Sequence, residues 1–408
     1  MSSTTPQAQL DSIDALIGSL QQLKSHISSS ADKHDDAAQG TYMMPYTAEA
    51  WQAATAARQQ FTSLVSLLVN PAQRLGELMF SSVTTHSMNT ALDIGLFDAV
   101  PAQGAVPIAE LSAATKVPAE RLAPLMRHIA NEGLFAETSP MSNEWQHTHL
   151  SRMLRSGGAM HLDVLQAYTR DFIEPSFEHL TPCLRSHKSG YEDYRREHIF
   201  SFLAKHPAEN NKFGTVMQCM NGIVGSPLAA DYDWSRFNGK TIVDVGGGVG
   251  ALPALLVMPY PDLKFHVQDL EEPVAQGKAF WSATFPPQVA ERVTFQAHSF
   301  FEPQPEQISD VYLMRFILHD WADADCLKIL SALRSSVKAG TTLLVAEILI
   351  DADNTSWQRT MSLHMLAVFN AEERTEEQYR SLLKQTGWQL QKTSATSGPL
   401  SLLEAVAI

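Results

Sequence analysis

A histidine, a run of glycines and a few acids stand out as the residues whose types and spacing could do chemistry. Thr241–Val245 reads as a short β-branched strand that runs into Gly246-Gly247-Gly248-Val249-Gly250 and then into a helical pattern. Glycines at such a turn let the backbone approach a ligand closely, and the helix N-terminus after it favours polar or anionic groups. Asp269 closes the next strand, 265–268, 23 residues beyond Gly246, where a carboxylate is placed to grip the two hydroxyls of a ribose. Further on, a strand over 310–314 leads into Arg315-Phe316-Ile317-Leu318-His319-Asp320-Trp321, which puts His319 just past a strand's carboxyl end, the side on which α/β sheets bind ligands. Glu347 ends the strand over 341–346, and Glu373 lies in the run 370–375. A histidine with an ordinary pKa near ~6.5 suits the role of base toward a phenol or enol. Carboxylates on its other ring nitrogen would fix the tautomer and stabilise the imidazolium.

Two cofactors fit the glycine loop. Gly246, Gly248 and Ala251 satisfy the looser G-x-G-x-x-A dinucleotide fingerprint, which keeps a nicotinamide enzyme open. S-adenosylmethionine is favoured by Asp244, two residues before the first glycine, and by the place of the glycine domain in the C-terminal part of the chain, behind a helical region.

The elements that must position these residues are spread over 408 residues, enough for two or three domains with sizeable cores. A formal net charge of −14 argues against nucleic acid and against an anionic membrane surface. Three widely spaced cysteines, Cys183, Cys219 and Cys326, form neither a disulfide ladder nor a zinc spacing, so a reducing, cytoplasmic setting is expected. No apolar run reaches the roughly 18 residues of a spanning helix, and residues 1–9 carry no signal pattern.

Residues 1–75 read as a helical arm: Leu10, Ile13, Leu16, Ile17, Leu20 and Leu23 recur at helical spacing, a polar linker follows over 28–40, and a second helix runs over 51–69 toward Asn70-Pro71. Residues 76–230 read as a helical, winged-helix-like domain. In it Gly95 terminates one helix, Pro107 and Pro118 open two more, and 145–150 supplies a wing strand. The presumed recognition helix, 121–132, carries only Arg121, Arg127 and His128 as basic groups, too few for DNA. Residues 231–408 alternate strand and helix signals, as a doubly wound α/β domain does. Aromatic and methionine side chains including Tyr168, Phe172, Met217 and Met220, with Met314, His364 and Asn370, suggest a pocket for an aromatic or polyketide acceptor, though each also fits a core position.

The order V-D-V-G-G-G-V-G, Q-D-L, M-R-F-I-L-H-D-W, A-E-I-L and E-R-T resembles the plant-type small-molecule O-methyltransferases, the fungal secondary-metabolite members most of all, over about residues 80–408. The resemblance implies a homodimer whose helical region does not bind DNA, a Rossmann-like class I domain that binds S-adenosylmethionine, and a substrate pocket completed by the partner subunit. It implies His319 as general base, Glu347 and Glu373 flanking it, Asp320 beside it, and no metal. Gly246 and Gly247 would lie against the methionine part of the cofactor, Asp269 on the ribose, and Ser299 and Phe300 on the adenine. Two residues depart from the pattern. Arg315 stands where plant enzymes usually carry lysine, and Ser299 where many relatives carry aspartate, which predicts a weaker hold on adenine. Some fungal proteins of this fold instead catalyse dehydration or pericyclic ring closure, and a winged-helix regulator is a third reading; the complete His-Asp-Glu-Glu set favours methyl transfer.

Overall fold

The computed structural model describes residues 6–30, 48–158, 162–305, 309–351 and 356–408. They form two compact units: the described parts of Met1–Pro45 with Ala56–Glu174 and His206–Cys219, and the described part of Tyr46–Thr55 with Pro175–Lys205 and Met220–Ile408. None of the described helices is long and apolar enough to cross a membrane.

The first unit is helical. Helix Pro6–Ser30 carries the expected leucine spacing and runs past Ser28, where the linker was expected to begin; residues 31–40 of that linker lie outside the described residues. Helix Ala48–Leu68, whose residues from Ala56 onward belong to this unit, matches the second expected helix, and the Asn70 side chain then caps helix Pro71–Met79, accepting from the Ala72 N–H at 2.9 Å. Gly95, at φ +68°, ends the turn after helix Ser82–Asp93. Helices Ile108–Thr115 and Ala119–Asn131 follow Pro107 and Pro118, as expected. Strands β1 (Val106–Pro107), β2 (Phe135–Glu137) and β3 (Glu144–His147) make a small antiparallel sheet in the order β1-β3-β2. The wing strand is therefore shorter than expected, because the Thr148 hydroxyl caps a new helix, His149–Arg152. Leu96, Leu111, Leu122, Met126, Ile129 and Trp145 form the core of this winged-helix-like unit.

The second unit holds a seven-stranded sheet of β4 (Thr241–Val245), β5 (Lys264–Asp269), β6 (Val293–Ala297), β7 (Val311–Arg315), β8 (Thr342–Ile348), β9 (Trp388–Ala395) and β10 (Leu400–Ala407). Its order is β6-β5-β4-β7-β8-β10-β9, with β10 antiparallel to both neighbours. The β-branched and leucine runs follow from burial on both faces, as parallel strands require. Val243, Val245, Tyr312, Met314, Leu343 and Val345 pack into one cluster, while Ile242, Val311, Leu313, Leu344 and Ala346 pack into the other.

That period-2 alternation aims the polar residues. Asp244 pairs in register with Leu313, so it shares a face with Ile242, Leu313 and Arg315, whereas Glu347 shares the opposite face with Leu343 and Val345. The chain lays β5 and β6 on one side of β4, then crosses to β7 on the other. The carboxyl ends of β4 and β7 therefore flank the topological switch point, where open α/β sheets bind ligands.

Candidate active site

The glycine loop leaves β4 directly at this crevice. Gly246 has φ +71°, and a Cβ there would meet Ile317 Cδ1 at 2.4 Å; a Cβ on Gly247 would meet the Asp244 carboxylate at 2.4 Å. The loop is anchored to the next strand: the N–H groups of Gly246 and Gly247 donate to the Gln268 carbonyl at 2.7 and 3.1 Å, and the Gly248 N–H donates to Asp269 Oδ2 at 2.8 Å. Asp269 Oδ1 accepts from its neighbour's N–H, Leu270, at 2.7 Å. Burial raises the Asp269 carboxyl above the usual range, against these two hydrogen bonds. Asp244 is pushed up to about 6 by burial, with the Arg315 cation opposing and the Asp269 charge adding. Arg315 is itself half-buried, and its pKa is lowered by desolvation despite Asp244 and Glu347. The next strand brings Ser299 and Phe300 alongside: Ala297 pairs with Asp269, and the His298 N–H donates to the Asp269 carbonyl at 2.9 Å. The expected cofactor residues Gly246, Gly247, Asp269, Ser299, Phe300 and Arg315 thus lie at or just past the carboxyl ends of the adjacent strands β4, β5, β6 and β7.

The second group gathers on the loop after β7. His319 Nδ1 lies 2.9 Å from Glu373 Oε1, in hydrogen-bond contact, with both side chains buried. Glu347 Oε2 is 3.9 Å from the same nitrogen, and Asp320 Oδ1 is 3.5 Å from Nε2. The two glutamates therefore do different things. Glu373 holds the ring, and Glu347 Oε1 instead accepts the N–H groups of Ile317 (3.1 Å) and Leu318 (2.9 Å), shaping the loop that carries the histidine. With Glu373 on Nδ1–H, Nε2 is left as the nitrogen that can take a proton.

The expectation of a histidine titrating near its ordinary value is corrected. Burial lowers the His319 pKa, but Glu373, Glu347 and Asp320 outweigh it and push it up to about 10. Burial lifts Glu347 to about 7 and Asp320 to about 6, each against the pull of His319. Three carboxylates around one imidazole titrate as a unit. His319, Glu347 and Glu373 also offer ligand atoms within 4.8 Å of one another, a spacing a divalent ion could bridge, although the hydrogen bond to Glu373 uses the same atoms.

His364 faces this cluster and is driven down to about 4 by burial and by the His319 charge, which keeps its ring neutral. Asn370, at φ +57°, donates to the His187 carbonyl at 3.1 Å. Phe316 Cα lies at φ +55°, and its ring centroid is 5.1 Å from that of His319. Trp321 packs on Phe301 at 4.8 Å and Phe300 at 5.9 Å, and Phe200 stacks beyond it at 6.4 Å. Of the expected substrate residues, His364 and Asn370 lie in this unit near the cluster. Met314 is fully buried among Val243, Tyr312 and Val345, in a packing position. Met220 is half-buried in helix Pro207–Asp231. Phe172, stacked on Tyr168 at 5.2 Å, and Met217, 37% exposed, belong to the other unit.

Sequence reasoning missed two residues here. Phe316 adopts a left-handed backbone that bulky side chains rarely take, which no local pattern announces. Arg374, 1% exposed, donates from Nη1 to the Leu318 carbonyl and from Nη2 to the Trp321 carbonyl, both at 2.7 Å.

Comparison with known proteins shows the family and the fold. A model of the O-methyltransferase domain matches residues 177–389, and one of the O-methyltransferase dimerisation domain matches 76–157. The O-methyltransferase aoiF of Aspergillus oryzae is 30% identical over 330 residues, covering 77% of this chain and 78% of that protein. The phenazine O-methyltransferase PhzM of Lysobacter antibioticus is 30% identical over 327 residues, covering 79% and 92%. Among solved structures, LaPhzM superposes with a TM-score of 0.73 at 27% identity (83% of this chain, 100% of that one). Human N-acetylserotonin methyltransferase in complex with S-adenosylmethionine gives 0.72 at 25% identity (83% and 99%).

Proposed function

The chain belongs to the S-adenosylmethionine-dependent O-methyltransferases, and on that premise we propose that it methylates a phenolic or enolic hydroxyl of an aromatic or polyketide-type small molecule, with His319 as the general base. The observation that carries this reading is the 2.9 Å contact of His319 Nδ1 with the buried Glu373, at the crevice that also holds the glycine loop and Asp269.

The residues suit the cofactor. Asp269 has oxygens at the mouth of the loop for the ribose hydroxyls, and the loop glycines exclude any Cβ from the methionine part. A cationic amino group would relieve the burial that lifts Asp244 to about 6. Ser299 and Phe300 stand at the end of β6 for adenine, a hydroxyl replacing the carboxylate of many relatives. The bound cofactor supplies a methyl group already activated by a positive sulfur, so the protein's tasks are alignment and proton removal.

His319 removes the proton at Nε2, and Glu373 stabilises the imidazolium that forms. The raised pKa suits the acid it must deprotonate. A phenol titrates near ~10, so raising His319 toward that range makes it a stronger base for the phenolic proton once its own proton has left. The consequence is that His319 starts protonated at neutral pH and gains activity as pH rises. His364, kept neutral, offers a hydrogen bond to a second oxygen or nitrogen of the acceptor. A phenazine and an N-acetylserotonin enzyme among the relatives support a planar aromatic acceptor.

We assign dimerisation to a second copy of this chain. Helix Pro71–Met79 buries none of its residues, and Leu75, Leu78, Met79 and Phe80 are more than half exposed where the dimerisation match begins. The functional division we propose is an arm to residue 75, a helical dimerisation and capping region over 76–230, and the catalytic domain over 231–408. Three free, buried cysteines support a cytoplasmic setting.

Mass spectrometry of the purified protein with S-adenosylmethionine and a panel of hydroxylated aromatics tests the reaction. A product heavier by one methyl group supports it. An isomerised or dehydrated product, with the cofactor unconsumed, refutes it and favours the non-methylating chemistry.

A further inference from the structure

Arg374 follows Glu373 in the chain and is one of the largest fully buried side chains. Its guanidinium touches no reacting atom. Nη1 donates to the Leu318 carbonyl and Nη2 to the Trp321 carbonyl, each at 2.7 Å, so one planar fork grips the His319-Asp320 dipeptide from both sides. Nε donates outward to Asp323 at 2.9 Å, the carboxylate that opens the next helix and is 61% exposed. The Cys326 thiol reinforces the same two carbonyls at 3.2 and 3.3 Å. The Arg374 backbone is tied elsewhere: its carbonyl accepts the Ile350 N–H at 3.0 Å, and it pairs with Leu349, two residues past Glu347. Thr375 caps the following helix and fixes where the segment turns.

Resting on the reading of His319 as the base, we propose that Arg374 is a positioning residue that sets the distance from His319 to Glu373 and to Glu347. Its side chain is bonded to the histidine loop, its own neighbour is Glu373, and its backbone is bonded to the continuation of the strand that carries Glu347. The guanidinium is irreplaceable in this role because lysine, a single flexible ammonium, cannot hold two divergent carbonyls in one plane. Slackening the fork lets the loop drift from Glu373, which both misaligns Nε2 and lowers the basicity of the ring.

The test compares Arg374→Lys, Arg374→Ala and Asp323→Asn in the full chain, with kcat, KM, cofactor affinity by calorimetry and the pH profile of kcat/KM. For Arg374→Lys, kcat falls about 100-fold, as an ~1 Å misplacement of a reacting group does. Cofactor Kd stays within about twofold, and the ascending limb of the profile moves to lower pH because the imidazole has lost part of its carboxylate contact. Millimolar guanidinium restores about tenfold of the lost kcat to Arg374→Ala and nothing to Arg374→Lys, whose ammonium fills the slot. Asp323→Asn, which leaves both carbonyl bonds in place, keeps kcat within about twofold. A merely structural role would lower the melting temperature while kcat per folded molecule and the limb stayed put, and that result overturns the proposal. So does a loss of kcat with an unmoved limb. If Arg374→Ala does not fold, Arg374→Lys decides by the same criteria. A full loss in His319→Ala beside an unchanged Arg374→Lys refutes the clamp alone, and full turnover in His319→Ala refutes the base reading beneath it.

Discussion

Replacing Glu373 by glutamine tests how the histidine is made into a base. The variant keeps shape and volume but removes the negative charge that sits 2.9 Å from His319 Nδ1, with both side chains nearly closed off from solvent. A hydrogen bond to a charged group contributes about 1.5–3 kcal/mol, which corresponds to roughly 10–150-fold in rate if it is realised when the imidazolium forms. The loss should stay below the ~10⁴-fold seen when a lone orienting acid is removed. Glu347, at 3.9 Å, and Asp320, at 3.5 Å, remain to stabilise the cation in part. The expected kcat on the high-pH plateau, where the imidazole is neutral in both proteins, is thus about 100-fold down. The sign on the pH axis is equally definite: an opposite charge favours the protonated imidazole, so removing it moves the ascending limb of kcat/KM to lower pH by about 1–3 units. Initial rates across a pH series, with cofactor Kd from calorimetry, read both effects. A glutamine variant within about threefold of the parent kcat, with its limb unmoved, would refute the reasoning.

For the parent enzyme, His319 is held up to about 10, so kcat/KM rises close to tenfold per pH unit from about pH 7 toward that value; a flat profile there contradicts the assignment. Asp269→Ala removes a carboxylate that faces the glycine loop, and cofactor Kd rises about 10–100-fold by calorimetry while the melting temperature of the ligand-free protein changes little. An unchanged Kd would remove Asp269 from the cofactor site. Met79→Asp with Phe80→Ser places polar groups on an exposed apolar face and converts the dimer to monomer in sedimentation; a monomeric parent, or a dimer that survives both changes, opposes that interface.

How much of this was legible depends on how local each signal is. The glycine loop, Asp269 and His319 could be read because strand, turn and helix encode them within a few residues, and the switch point then follows from topology. What the sequence hid are relations across long separations. Glu373 lies 54 residues from His319 and Arg374 is 56 from Leu318, so their contacts depend on how the sheet and the 376–385 helix meet. The two glutamates looked equivalent on paper, yet Glu347, near the end of β8, bonds the N–H groups of Ile317 and Leu318, while Glu373, in the loop after helix Ser356–Phe369, bonds the ring. The upward shift of His319 is collective, set by three carboxylates that only the fold assembles. Met314, which the sequence allowed as either a pocket or a core residue, is fully buried in β7.

The central claim is that His319 takes the proton from the acceptor while other residues hold the cofactor. The most direct measurement is single-turnover transfer of a labelled methyl group from S-adenosylmethionine to an accepted phenol, by the parent and by His319→Ala, with cofactor Kd determined on the same samples. The expected rate is at least about 100-fold lower in the variant, with Kd unchanged within about twofold. Transfer at the parent rate by His319→Ala would contradict it.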